Sequence, residues 1–238
     1  MSSIAFPKKF NISHLKTIKA LTENQKITLD AFQNGAAPSN LVLSGSAGTG
    51  KTFLALYLAM EQVLNRETPY EKVVIVRTAV PTKDMGFMPG TKEEKEALFM
   101  APYKQLFTVL FGIYETDRLW SALEMGGLVE FMTTSYIRGV TIDNAVVVVD
   151  EYQNMSYHEL ASCITRLGEY TKVIFAGDTK QIDLVSYKEN TTHAVDHFRS
   201  IIDMMTGFTC VDFTQADSVR SGLVRDFLRC EEIYAKKV

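Results

Sequence analysis

Eight consecutive residues, Gly45-Ser46-Ala47-Gly48-Thr49-Gly50-Lys51-Thr52, follow the spacing G-x-x-x-x-G-K-[ST]. Glycines at these places let backbone N–H groups turn inward around a polyphosphate. A helix starting there adds partial positive charge. Lys51 is expected to reach the β- and γ-phosphates, and Thr52 to ligate Mg²⁺ through its hydroxyl. The whole stretch from Gly45 to Thr52 is therefore the expected nucleotide-binding segment. About a hundred residues later, the length of a few β–α units, the acids Asp150-Glu151 follow an apolar run. Asp150 is expected to hold Mg²⁺ and Glu151 to polarise a water. Together these residues suit Mg²⁺-dependent transfer of the terminal phosphoryl group of ATP to water.

Other residues fit supporting roles. Gln25 lies about 20 residues before the loop. Its amide can both donate to and accept from an adenine edge. It also stands three residues after Thr22, a helix-capping spacing. Gln181 follows the strand after the acids, where an amide can sense the γ-phosphate. Arg220, Arg166 and Arg138, in that order, are candidates for the cation that stabilises charge in transfer. Arg220 could instead be a salt-bridge partner. His193 and His197 are four apart, but no acid or cysteine stands at a matching metal-ligand spacing.

Elements must place these groups. Leu41-Val42-Leu43 reads as a buried strand before the loop, and Phe53 to Met60 as the helix after it. Lys72 to Arg77, Leu128 to Thr133, Ala145 to Val149, Lys172 to Ala176 and Thr209 to Phe213 read as further strands. Their continuous apolar runs suit a parallel sheet covered on both faces. Helical patterns run over residues 23–35, 93–111, 156–167, 190–205 and 222–236. Strands alternating with helices predict an α/β fold, a single core with a mostly parallel sheet flanked by helices. Between the second strand and its helix lies Met85-Gly86-Phe87-Met88-Pro89-Gly90, unusually apolar for a solvated loop. Residues 1–20, with Lys8, Lys9, Lys16 and Lys19, read as a solvated arm.

The 238 residues suffice for one large α/β domain, and the hydrophobic fraction of 46% predicts a real core. A net charge of −3 excludes a globally basic body, so nucleic acid would need a local patch or a shared channel. Three dispersed cysteines argue against a disulfide frame or zinc site and suit a cytoplasmic protein. No apolar run approaches the length needed to span a bilayer, and the first ten residues lack a secretory apolar core.

The set Gly45 to Thr52, Arg77 to Gly90, Arg138-Gly139, Asp150 to Asn154, Thr165 to Gly168, Gly177 to Leu184 and Asp217 to Arg220 resembles the PhoH family over roughly residues 20–230. That family is related in motif order to superfamily 1 helicases. Departures are Ser46 and Val185 where proline is usual, Ala79 where proline often follows the arginine, and Tyr152 where a small residue is usual. The resemblance implies a P-loop NTPase with a RecA-like ATPase core, its phosphate-loop and acidic strands separated by another strand. It also implies a cytoplasmic place, in a bacterium or phage-infected host cell, and a link to RNA or DNA metabolism. The short chain is similar to phage-type members. Related helicases place nucleotide between two cores. One core here leads to the expectation of a homo-oligomeric ring, a hexamer, in which an arginine of a neighbouring copy completes the site, Arg220 first, Arg166 second and Arg138 third, with the choice between action within a subunit and across the interface left open. Such a ring could hold single-stranded RNA or DNA in its pore. The competing readings are a slow, nucleotide-gated assembly module and a small-molecule kinase.

Overall fold

The computed structural model describes residues 7, 9–33, 40–78, 92–178 and 188–235. Six strands form one sheet: β1 (Asn40–Gly45), β2 (Lys72–Arg77), β3 (Val129–Thr133), β4 (Ala145–Asp150), β5 (Thr171–Ala176) and β6 (Phe208–Phe213). Their order is β3-β2-β4-β5-β1-β6, and every pairing is parallel. The phosphate-loop strand β1 and the acidic strand β4 flank β5, as expected from the family resemblance.

Helices α1 (Glu23–Gln33), α2 (Lys51–Leu64), α3 (Lys92–Phe111), α4 (Thr116–Met125), α5 (Tyr157–Thr165) and α6 (Lys188–Ile202) cover both faces, and α7 (Gly222–Ala235) follows with largely exposed side chains. The two-residue period of a strand sorts its side chains between two cores. Leu41, Leu43, Val73, Ile75, Val146, Val148 and Ile174 join Phe32, Leu56, Met60, Phe107 and Trp120 on one face. Val42, Val74, Val76, Val147, Val149, Val173 and Phe175 join Leu160, Val195, Phe198 and Ile202 on the other. Continuously apolar strands are thus what a covered parallel sheet requires. The helix α4 adds to the elements named from sequence. It seats Leu119, Trp120 and Leu123 in the first core.

The amino-terminal segment departs from expectation. Phe10 and Leu15 are buried in the first core, and the Lys16 N–H donates to the Leu110 carbonyl at 2.8 Å. Phe10 meets Phe111 edge-on at 5.2 Å. Lys9, Lys16 and Lys19 are exposed, so the segment is docked through its apolar side chains while its lysines stay solvated.

Candidate active site

The carboxyl end of β1 opens into a loop whose turns need left-handed backbone. Gly45, Gly48 and Gly50 have φ of 120°, 74° and 86°. A β-carbon on Gly48 would also land on the Arg220 side chain, which lies across the loop. The Val219 N–H donates to the Gly48 carbonyl at 3.2 Å and fixes that approach. Helix α2 starts at Lys51, so its free N–H groups face the loop. Lys51 is buried, and its Nζ donates to the carbonyls of Gly45 at 2.8 Å and Ser46 at 2.7 Å. Burial pulls its pKa below 10.5, against the opposing charges of Asp178, Glu151 and Asp150. An arriving phosphate offers this desolvated ammonium a better partner than two neutral carbonyls.

The tip of β4 faces that loop. The Thr52 hydroxyl donates to Asp150 Oδ1 at 2.8 Å, and the Tyr103 hydroxyl from α3 donates to Oδ2 at 2.8 Å. Asp150 is 4% exposed. Burial, then the charge of Glu151, pushes its pKa up, while Thr52, Tyr103 and Arg77 oppose this. One hydroxyl and one carboxylate at the mouth of a phosphate loop form an all-oxygen set. They fit Mg²⁺, which takes few protein ligands and completes its shell with water and phosphate. Among the described residues no cluster of three or more His, Cys, Asp or Glu side chains could hold a metal by itself.

Glu151 adopts left-handed backbone, φ 52° and ψ 39°. That strained turn swings it from the strand line toward the cavity. Gln153 Nε2 donates to Glu151 Oε2 at 2.6 Å, and Gln153 Oε1 accepts from the Asp178 N–H at 3.0 Å. The buried amide thereby ties the tip of β4 to the tip of β5. A cavity of about 440 Å³ is lined by residues of the loop together with Asp150, Glu151, Gly177, Asp178 and Arg220.

The structure thus brings together Gly48, Gly50, Lys51, Thr52, Asp150, Glu151 and Arg220. Arg220 lies over the loop of its own chain. Arg166 is not brought in. It caps the far end of α5, and its carbonyl accepts from Ile142 N–H, below the amino end of β4. Arg138 is exposed and lines a separate polar cavity with Thr134, Ser135, Ser156 and Glu159. Gln181 and the Met85–Gly90 segment lie outside the described residues. Gln25 sits behind the loop, 5% exposed, with Nε2 donating to the Thr49 carbonyl and Oε1 accepting from Leu21 N–H. Its N–H is capped by Thr22 Oγ1 at 3.3 Å. His197 stacks on Tyr157 at 4.3 Å. The sequence reading missed Tyr103, Gln153 and Asp178. Of these, Gln153 carried a signal, two residues from Glu151.

The profile of the family described as PhoH-like protein matches residues 17–232. The chain belongs to the PhoH-like family. The Protein PhoH2 of Bacillus subtilis (strain 168) is 34% identical over 194 residues, 80% of this chain and 43% of the relative. A PhoH-like protein of Synechocystis is 35% identical over 189 residues, 79% of this chain and 55% of the relative. The chain spans about half the length of these curated relatives. Among solved structures, the large terminase of a thermophilic bacteriophage aligns with a TM-score of 0.49 and 13% identity, over 87% of this chain and 49% of that one. In this PhoH-like chain the unusual Tyr152 is buried. Its ring packs on Phe175 and Phe198, and its hydroxyl shares a 2.6 Å hydrogen bond with Ser44. The extra bulk goes into the second core, away from the nucleotide cavity.

Proposed function

We propose that this chain binds ATP with Mg²⁺ and hydrolyses it, using the energy to move along or remodel a single strand of RNA or DNA, with RNA favoured. The observation that carries the nucleotide part is the 2.8 Å contact between Thr52 and Asp150, across 98 residues of sequence. It joins the loop and the acidic strand at one mouth, with Lys51, Glu151 and Arg220 beside it.

The loop's N–H groups and Lys51 hold the phosphates. Mg²⁺, when bound, neutralises phosphate charge and orients the terminal phosphoryl group. Thr52 and Asp150 are the groups that would hold it. Glu151, steadied by Gln153, orients a water and accepts its hydrogen bond. Arg220 lies over the loop in the same chain, placed to offset negative charge as it shifts to the leaving oxygen. Gln181 remains the proposed γ-phosphate sensor, and Gln25 reads adenine only if its protein hydrogen bonds are exchanged.

The strand-handling part rests on kinship. We place the chain in a homo-oligomeric ring, a hexamer, in a bacterial or phage-infected cytoplasm. A few cations repeated around a pore can hold an acidic protein to a strand. The test is phosphate release with and without Mg²⁺ and a short RNA, in wild type, Lys51→Ala and Glu151→Gln. Wild type should turn over only with Mg²⁺ and faster with RNA. Turnover that survives Lys51→Ala would refute the nucleotide reading. Turnover indifferent to RNA, with no strand binding at low salt, would remove the strand-handling part.

A further inference from the structure

The nucleotide reading uses Asp150 through one oxygen and leaves its other oxygen to α3. There the Tyr103 hydroxyl donates to Oδ2 at 2.8 Å. Tyr103 is 1% exposed and its ring packs at 5.8 Å from Phe131, so the phenol has little freedom to swing away. The charge of Arg77, at the tip of β2, also acts on this phenol and on Asp150.

Thr52 and Tyr103 thus pin the carboxylate at both ends, from two helices that meet the sheet on the same side. A carboxylate held at one oxygen can rotate about its Cβ–Cγ bond. One held at both presents a fixed lone-pair direction to a cation. Hydrogen-bond partners behind a metal ligand set its orientation, and losing one typically weakens metal binding by about 10–100-fold.

We infer that Tyr103 is the positioning residue of the divalent-cation site. Through Asp150 it sets the affinity of the nucleotide-loaded protein for Mg²⁺. This rests on the nucleotide reading above.

The experiment titrates Mn²⁺, read by electron paramagnetic resonance, into full-length protein saturated with ADP. Calorimetric ADP binding in EDTA is measured alongside. Tyr103→Phe keeps the ring and removes only the hydroxyl. It should weaken Mn²⁺ binding by about 10–100-fold while ADP affinity in EDTA stays within about twofold. Phe107→Leu, a buried change on the same helix that touches no carboxylate, should leave the Mn²⁺ constant where it was and controls for loosened packing. Unchanged Mn²⁺ affinity in Tyr103→Phe, or an equal loss in Phe107→Leu, overturns the inference and leaves the nucleotide reading intact. Wild-type protein that binds ADP and Mn²⁺ independently of each other overturns both.

Discussion

At the residue scale, Glu151 and Gln153 divide one task. Glu151 has a strained backbone and a single side-chain partner among the described contacts, Gln153 at 2.6 Å. Replacing Glu151 with Gln preserves shape but removes the proton acceptor. Steady-state ATP hydrolysis should fall by about 10²–10⁴-fold, with ATP binding retained in a filter or calorimetric assay. Gln153→Ala should act through Glu151. It should lower kcat by at least tenfold with KM for ATP nearly unchanged, because no phosphate contact is lost. It should also cost about 1–3 kcal/mol of stability in urea denaturation, since the buried Asp178 N–H loses its acceptor. A Gln153→Ala variant with altered KM and normal kcat would place the amide on the nucleotide instead. These roles differ in how readable they were. Lys51, Asp150 and Glu151 announce themselves through spacing, because a phosphate and a metal demand fixed residue types at fixed offsets. Tyr103 does not: in sequence it is one apolar position in a helix, and only the packing of α3 on β4 aims its hydroxyl.

At the element scale, strand tips and helix starts do the positioning. Gly177 directly follows β5, and a β-carbon there would strike both Gln153 Oε1 and the Tyr152 ring. Gly177→Ala should therefore mimic Gln153→Ala in kinetics, lowering kcat more than it raises KM. Helix α5 starts at a capping box: Ser156 Oγ accepts from the Glu159 N–H, and Glu159 Oε2 accepts from the Ser156 N–H. Ser156→Ala should cost about 1 kcal/mol in urea denaturation. Burial alone would raise the Glu159 pKa, but hydrogen bonds from Thr134, Ser156 and Thr78 outweigh it and hold the carboxyl below 4.5. Its stabilisation is therefore complete above pH 4.5 and fades as pH falls through the lowered native value. The stability gap between wild type and Glu159→Gln should be widest near pH 7 and narrow below about pH 4.5. A gap that widens on acidification would reverse the assignment. The strands were legible because burial on two faces forces apolar runs. The docking of residues 9–16 on α3 was not, since its apolar contacts are two scattered residues, Phe10 and Leu15, and its hydrogen bond to Leu110 comes from the backbone.

At the scale of the whole molecule, the question is which parts of a site one chain supplies. The expectation of an arginine from a neighbouring copy began from a single core with an open face. Besides Lys51, the chain's own Arg220 lies at the cavity, held over Gly48 by the Val219–Gly48 hydrogen bond. This makes a mixing experiment decisive. If Arg220 serves its own loop, a Lys51→Ala subunit has a dead site and an Arg220→Ala subunit has a crippled one. Neither can rescue the other, so mixed oligomers should show no more ATP hydrolysis than the two proteins measured apart. Arg166 and Arg138 lie away from their own loop and are the candidates left for a contribution across an interface. Mixing Lys51→Ala with Arg166→Ala, or with Arg138→Ala, should restore activity for whichever arginine crosses. An arginine finger in known cases is worth about 10³–10⁵ in rate, so even a minority of correctly paired interfaces would stand well above background. Recovery in the Arg220 mixture would mean that the contact over Gly48 gives way to an intersubunit one when nucleotide binds.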